Sequence, residues 1–295
     1  MQNPERLVER LEWTVIRRLD GLLQGDYRTL FRGFGLDLAD LREYQLYDDV
    51  RHIDWNVTAR LDAPYVRQFN EDREITAWFL LDVSPSVDFG SSEAVKRTKL
   101  TELVAVLGRV LTRHGNRIGG ILFTGESEQV IGSGAGKRHL LYLLSALEKT
   151  PRLESAPPTS LRDLLVSAYN VVRRRSLVVL VSDFFSDPGW QTPLGHLAQR
   201  HEVLAVRVFD SLERELPDLG LVTMQDAETG EQLLVDTHDP GFRRRFEAAA
   251  QENERRIREG FRRAGVDAFE LSTDDDIFDA IVRFASLRKL QALTR

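Results

Sequence analysis

Two apolar runs that each end in a carboxylate constrain this chain more than any other feature. The first reads Trp78-Phe79-Leu80-Leu81-Asp82, the second Leu177-Val178-Val179-Leu180-Val181-Ser182-Asp183. A strand with one wet face alternates apolar and polar residues, whereas an uninterrupted apolar strand is covered on both faces, as in a parallel sheet between layers of helices. Open sheets of that kind place their ligands beyond the carboxyl ends of the strands. Asp82 and Asp183 are therefore expected at one sheet edge, close enough to share an ion.

The rest of the chain alternates accordingly. Strands are expected near 75–82, 117–123 and 203–209, with short ones near 129–131 and 268–271. Leu100, Leu103, Val104, Leu107, Val110 and Leu111 recur at helical spacing and predict a helix over 96–113, stopped by Gly115-Asn116. Leu140, Leu143, Leu144 and Leu147 mark another helix, and Leu161, Leu164, Leu165, Ala168 and Val172 a third, with a proline-rich loop over 151–158 between them. A hairpin is expected at 221–235, turning near Glu228-Thr229-Gly230, then a long charged helix over 242–263 and a last helix over about 275–290. At the other end, Leu7, Leu11, Val15, Leu19 and Leu22 form a core-facing helical stripe. The expected division is an N-terminal segment, 1–72, packed on an α/β domain, 73–295, with a peripheral hairpin near 221–236.

Charge and composition exclude several classes. With 40 Lys and Arg against 46 Asp and Glu the formal net charge is -6, which lacks the basic footprint of a general nucleic-acid binder. There is no cysteine, hence no disulfide, thiolate ligand or cysteine nucleophile, as suits a reducing compartment. No apolar stretch approaches the ~20 residues that span a bilayer, and no apolar core follows residues 1–6, which carry Glu5 and Arg6, as in a signal peptide. A cytoplasmic protein is expected.

The chemistry concentrates after the first strand. In Asp82-Val83-Ser84-Pro85-Ser86 a carboxylate is followed at alternate positions by two hydroxyls. Hard cations such as Mg2+ take about six oxygen ligands and keep some positions for water or a partner's oxygen. Serine hydroxyls bring no charge, so one directly bound carboxylate leaves a divalent ion undercompensated and receptive to an acid from another molecule. The structural alternative is that Asp82 caps a turn and the serines satisfy local backbone groups. Thr159 and Ser160 stand just before a helix, where either also suits an N-cap.

Together these residues resemble the metal-ion-dependent adhesion site of von Willebrand factor A domains, which joins Asp-x-Ser-x-Ser to a distant Thr and a distant Asp. The matching positions are Asp82, Ser84, Ser86, Thr159 (with Ser160 beside it) and Asp183; Pro157-Pro158 stands where the family pattern has Gly-Gly. Arg42-Glu43-Tyr44, Asp48-Asp49-x-Arg51-x-Ile53-Asp54-Trp55 and Thr58-Ala59-Arg60 resemble the signature of the bacterial domain-of-unknown-function 58 family. That resemblance implies a three-layer von Willebrand A-like domain with a mostly parallel central sheet. It also implies Mg2+ as cofactor, with Mn2+ or Ca2+ as substitutes, and a MoxR-type AAA+ ATPase or its client as protein partner. The expected function is a non-enzymatic, metal-dependent interaction module in chaperone-like maturation, capturing an Asp or Glu of that partner. A metal-dependent phosphoesterase using Asp82 and Asp183 is the alternative. The acids and arginines Asp48, Asp49, Arg51, Asp54 and Arg60 read as an ion-pair network that docks the N-terminal segment.

Other motifs fail on their own terms. In Gly132-Ser133-Gly134-Ala135-Gly136-Lys137-Arg138 a phosphate loop would need glycine at 131 and a hydroxyl at 138, where Ile131 and Arg138 stand; the stretch reads as a flexible loop. A haloacid-dehalogenase-like phosphatase needs a second acid at 84, which is Ser. The six histidines lack His-Glu-x-x-His spacing. Thr273-Asp274-Asp275-Asp276 reads as a helix N-terminal cap.

Overall fold

The computed structural model describes residues 3–22, 40–45, 58, 63–68, 75–91, 94–125, 127–153, 159–226 and 230–293. The cluster from Asp48 to Asp54, Arg60, the Pro157-Pro158 pair and the hairpin tip at Glu228-Thr229 lie outside the described residues.

The N-terminal stripe forms a helix, α1 (Pro4–Leu11), that passes through a π-helical turn at Glu12–Ile16 into α2 (Arg17–Leu22). Leu7, Leu11, Val15 and Leu19 are buried as their spacing predicts, joined by Val8 and Ile16. Two short antiparallel strands, β1 (Asp40–Glu43) and β2 (Tyr65–Gln68), follow.

The central sheet starts with β3 (Thr76–Asp82), followed by α3 (Lys96–Arg113), β4 (Arg117–Phe123), β5 (Glu128–Ala135), α4 (Gly136–Lys149) and α5 (Leu161–Val171). It continues with β6 (Leu177–Ser182), α6 (Gln191–Arg200) and β7 (Glu202–Phe209). The hairpin β8 (Leu221–Gln225) and β9 (Gln232–Asp236) then leads into α7 (Pro240–Ala264), β10 (Asp267–Ser272) and α8 (Ile277–Leu293). Strand order is β10-β7-β6-β3-β4-β5, every neighbouring pair being parallel except β4 with β5.

The apolar strands partition as two-sided burial requires, because successive side chains point to opposite faces. Ala77, Phe79, Leu81, Val179 and Val181 pack with α3, α4, α8 and the N-terminal helices, while Trp78, Leu80, Val178 and Leu180 pack with α5, α6 and α7. The N-terminal helices thus share the main core, and ion pairs from Arg10 and Glu12 to Glu102 and Arg109 of α3 add a polar seam.

One expectation is corrected. Gly132 to Ala135 are not a loop: they extend the edge strand β5, and α4 begins at Gly136. The Arg117 guanidinium donates to the Ser133 carbonyl at 2.7 Å, and at Gly134 the His139 ring occupies the space a Cβ would need. The missing side chain at Gly134 lets a helix side chain lie against the strand.

Candidate metal centre

Asp82 ends β3 at the C-terminal edge of the sheet. Its Oδ1 accepts the Ser84 backbone N–H at 3.1 Å, an Asx-type turn that curls the chain into the 3-10 turn Pro85–Asp88. The curl brings the Ser84 and Ser86 hydroxyls to 3.2 Å from each other. Asp82 and Ser84 have no exposed surface and Ser86 only 4%.

β6 lies beside β3 in register, Leu81 opposite Val181, so the residues that follow meet as well. Ser182 Oγ donates to Asp82 Oδ2 at 2.6 Å and accepts the Phe184 N–H at 2.9 Å. Asp183, also fully buried, accepts the Phe185 N–H on Oδ1 at 3.0 Å. Phe184 is held at φ 62, the left-handed region that non-glycine residues avoid, so the chain is bent sharply just after Asp183.

That bend carries the chain across the segment before α5. The Thr159 carbonyl accepts Ser186 Oγ at 2.8 Å and the Asp187 N–H at 3.1 Å, and Thr159 is 1% exposed. Ser160 occupies the N-cap position of α5, yet its side chain makes no capping hydrogen bond. The Leu161 N–H is instead taken by Ser186 Oγ at 2.9 Å. The loop after Asp183 therefore supplies the cap and fastens Thr159 to the same edge. All five expected residues, Asp82, Ser84, Ser86, Thr159 and Asp183, are buried at the C-terminal ends of β3 and β6 and in the segment leading into α5.

Sequence reasoning missed three residues of this neighbourhood. Ser182 bridges the strands as described. Lys96, first residue of α3 and 1% exposed, places Nζ 2.6 Å from Asp183 Oδ2 and 2.5 Å from Glu213 Oε1. Glu213 belongs to the 3-10 turn Ser211–Glu213 after β7, where it forms a reciprocal capping box with Asp210. A signal for Lys96 did exist: Lys96, Arg97 and Lys99 crowd the first turn of a helix, where the dipole disfavours cations. Each has a tertiary use, Arg97 on Asp88 and the Leu147 and Thr150 carbonyls, Lys99 on the Asp275 carbonyl.

Asp210 is a further buried carboxylate, one residue past the end of the apolar strand β7. It accepts Ser91 N–H at 2.9 Å, Ser91 Oγ at 2.6 Å, Leu212 N–H at 3.0 Å and Thr273 Oγ1 at 2.8 Å. Thr273 is thus an anchor between β10 and β7. The helix cap expected in its segment falls to Asp276, whose Oδ1 accepts the Phe278 and Asp279 N–H groups.

The electrostatics follow from burial. Asp82 is pushed up to about 7, first by desolvation and then by the Asp183 charge, against the pull of its hydrogen bonds from Ser182 and Ser84. Burial pulls Lys96 down, but Asp183 and Glu213 outweigh it and its net direction is up. Glu213 is raised, chiefly by burial, with Lys96 opposing. For Asp210 the hydrogen bonds from Ser91, Leu212 and Thr273 overcome burial and hold it low.

The residues fit a hard divalent cation. With every group ionised, the carboxylates of Asp82, Asp183 and Glu213 and the ammonium of Lys96, which contacts the latter two, sum to a formal charge of -2. The hydroxyls of Ser84, Ser86 and Thr159 add neutral hard oxygens of the type Mg2+, Mn2+ and Ca2+ prefer. Among the described residues no set of three or more Asp, Glu, His or Cys side chains is arranged as a metal cage, so the hydroxyls are indispensable to any such site.

The fold is a von Willebrand factor A-like α/β domain, a mostly parallel central sheet flanked by helices. The chain belongs to the family described as "Protein of unknown function DUF58", whose model matches residues 40–256. An uncharacterized protein of Mycobacterium tuberculosis is 36% identical over 283 residues, covering 96% of this chain and 89% of that protein. Among solved structures, an aerotolerance-related membrane protein from Bacteroides fragilis superposes with a TM-score of 0.50 at 13% identity, over 73% of this chain and 99% of that one. The SpRpn10 VWA domain superposes with a TM-score of 0.40 at 13% identity, over 71% of this chain and 94% of that one. Among the described residues no helix is long and apolar enough to cross a membrane.

Proposed function

We propose that Asp82, Ser84, Ser86, Thr159 and Asp183 hold a divalent cation, Mg2+ in the first place, and that this chain is a non-enzymatic interaction module recruiting an Asp or Glu of a partner protein to that ion. The observation that carries the reading is the meeting of two fully buried carboxylates, Asp82 and Asp183, with three buried hydroxyl residues, Ser84, Ser86 and Thr159, at one sheet edge. The ion, when bound, supplies an electrophilic position that a carboxylate from outside completes. Asp82 and Asp183 supply the compensating charge. Ser84, Ser86 and Thr159 supply uncharged oxygen, which preserves that electrophilicity. The Asx turn at Asp82 and the Ser186 clasp on Thr159 fix these groups before any ligand arrives, lowering the ordering cost of binding.

The resemblance to the family's signature makes a MoxR-type AAA+ ATPase, or the client on which it acts, the partner of choice, in a chaperone-like maturation step. The test is capture of that ATPase by the immobilised full chain in Mg2+ and in EDTA. Capture lost in EDTA and lost in folded Asp82→Ala supports the reading. Capture by a folded Asp82→Ala protein equal to that of the wild type, or indifference to EDTA, overturns it.

A further inference from the structure

Both oxygens of Asp183 are engaged. Its Oδ1 receives the Phe185 N–H at 3.0 Å and its Oδ2 receives Lys96 Nζ at 2.6 Å. The ammonium is itself shared, 2.5 Å from Glu213 Oε1, and lies 5.9 Å and 5.4 Å from the ring centres of Phe89 and Phe185. Lys96 enters from the start of α3 and Glu213 from the turn after β7, so two carboxylates, Asp183 and Glu213, converge on one ammonium supplied from outside the Asp-x-Ser-x-Ser loop.

Resting on the metal reading, we propose that Lys96 is a tethered cation that competes with the divalent ion for Asp183 Oδ2, and that Glu213 is the counter-anchor that keeps the ammonium when the ion takes Asp183. Lys96 thereby sets metal affinity. The covalently attached ammonium is always present at high local concentration, so it neutralises Asp183 in the metal-free protein and raises the concentration of ion needed to displace it. Its charge also opposes the incoming dication directly, through a buried environment in which screening is weak. A purely structural lysine predicts something different: any change at either end of the ion pair would only loosen the edge and weaken metal binding.

The two partners therefore have opposite signs. Lys96→Met, which keeps the length of the chain and removes the charge, tightens Mn2+ and Mg2+ binding at least about tenfold, the order expected for deleting one unit charge nearby. Glu213→Gln leaves Lys96 with Asp183 as its main partner and weakens binding several-fold. The double variant Lys96→Met/Glu213→Gln retains the formal surplus of two negative charges, two carboxylates without an ammonium in place of three with one. It avoids an added uncompensated charge in the core, so it is the variant chosen to fold. It binds at least about threefold more tightly than wild type, because Asp183 Oδ2 is released.

The measurement is a titration of each full-length protein with Mn2+, followed by the loss of the free-ion spin-resonance signal, with Mg2+ as competitor and Asp82→Ala as the site control. Tighter binding by the double variant, or binding by it where wild type shows none, supports the proposal; the second outcome would also mean that the native site is closed by its own lysine. Wild-type binding abolished by Asp82→Ala but equal to or tighter than that of the double variant overturns the role of Lys96 and leaves the metal reading standing. No binding by any of the proteins overturns both.

Discussion

Ser182 Oγ donates to Asp82 Oδ2 at 2.6 Å, joining the ends of two adjacent parallel strands across 100 residues of sequence. The same hydroxyl accepts the Phe184 N–H, so it ties the Asp-x-Ser-x-Ser loop to the strained turn after Asp183. Replacing Ser182 by Ala removes a charge-assisted donor from a fully buried carboxylate and an acceptor from a backbone N–H. The expected loss is about 1–3 kcal/mol in urea denaturation. Because that hydrogen bond pulls the Asp82 pKa down, its removal also raises the proton affinity of Asp82 and weakens Mg2+ binding near neutral pH. A variant with unchanged stability and unchanged Mg2+ affinity would show that the bridge has no energetic consequence.

The pH dependence has a definite sign. Asp82 is raised from 3.8 to about 7, so between these values the native state holds a proton that the unfolded chain has released. Its contribution to stability is complete below the unfolded value and is lost as pH rises through about 7. In EDTA the melting temperature should therefore fall between pH 5.5 and pH 8. Mg2+ binding requires the ionised carboxylate, so added Mg2+ should stabilise more at pH 8 than at pH 5.5. An EDTA melt that is flat or rising over that interval would contradict the assignment.

Asp210 behaves in the opposite sense. Its hydrogen bonds outweigh burial and hold its pKa low, so its contribution is present above the ordinary carboxylate range and disappears as pH falls through the lowered value. Asp210→Ala strands the Ser91, Leu212 and Thr273 donors and removes the side-chain tie just beyond the ends of β10 and β7. The expected cost is about 3 kcal/mol or more at neutral pH, shrinking in acid. Chemical denaturation at pH 7 and pH 3 measures both.

How much of this was legible follows from the physics of each residue. The strands were readable because two-sided burial leaves an uninterrupted apolar run, and Asp82 and Asp183 were readable because each ends one. Asp210 also follows a strand, Val203 to Phe209, but Arg207 interrupts its apolar run and weakens the signal. Lys96 was harder: burial of an ammonium depends on carboxylates 87 and 117 residues away, and its only local trace is the misplaced cations at the start of α3. The extension of β5 has little local signal because glycines normally weaken strands, and only the contact with His139 shows what Gly134 makes room for. Ser186 as the cap of α5 had no local signal, since a cap is sought immediately before its helix and this one arrives from 25 residues beyond.

The turn that aims Asp183 depends on a residue in a conformation unsuited to it. Phe184 sits at φ 62 with its ring 4.7 Å from Phe261 in an edge contact and 5.2 Å from Trp190, and is 3% exposed. The packing of that ring offsets a left-handed backbone that costs an L-residue ~1–2 kcal/mol. Phe184→Ala deletes the ring and keeps the strain, so it should destabilise by about 3–5 kcal/mol. Phe184→Gly deletes the same ring but relieves the strain, so it should be at least as stable as the alanine variant, reversing the usual order in which glycine is worse by about 0.5–1 kcal/mol. Urea midpoints of the two variants decide it. A glycine variant clearly less stable than the alanine one would mean that the turn after Asp183 relaxes once the ring is gone, and that the aromatic packing alone holds this corner of the site in place.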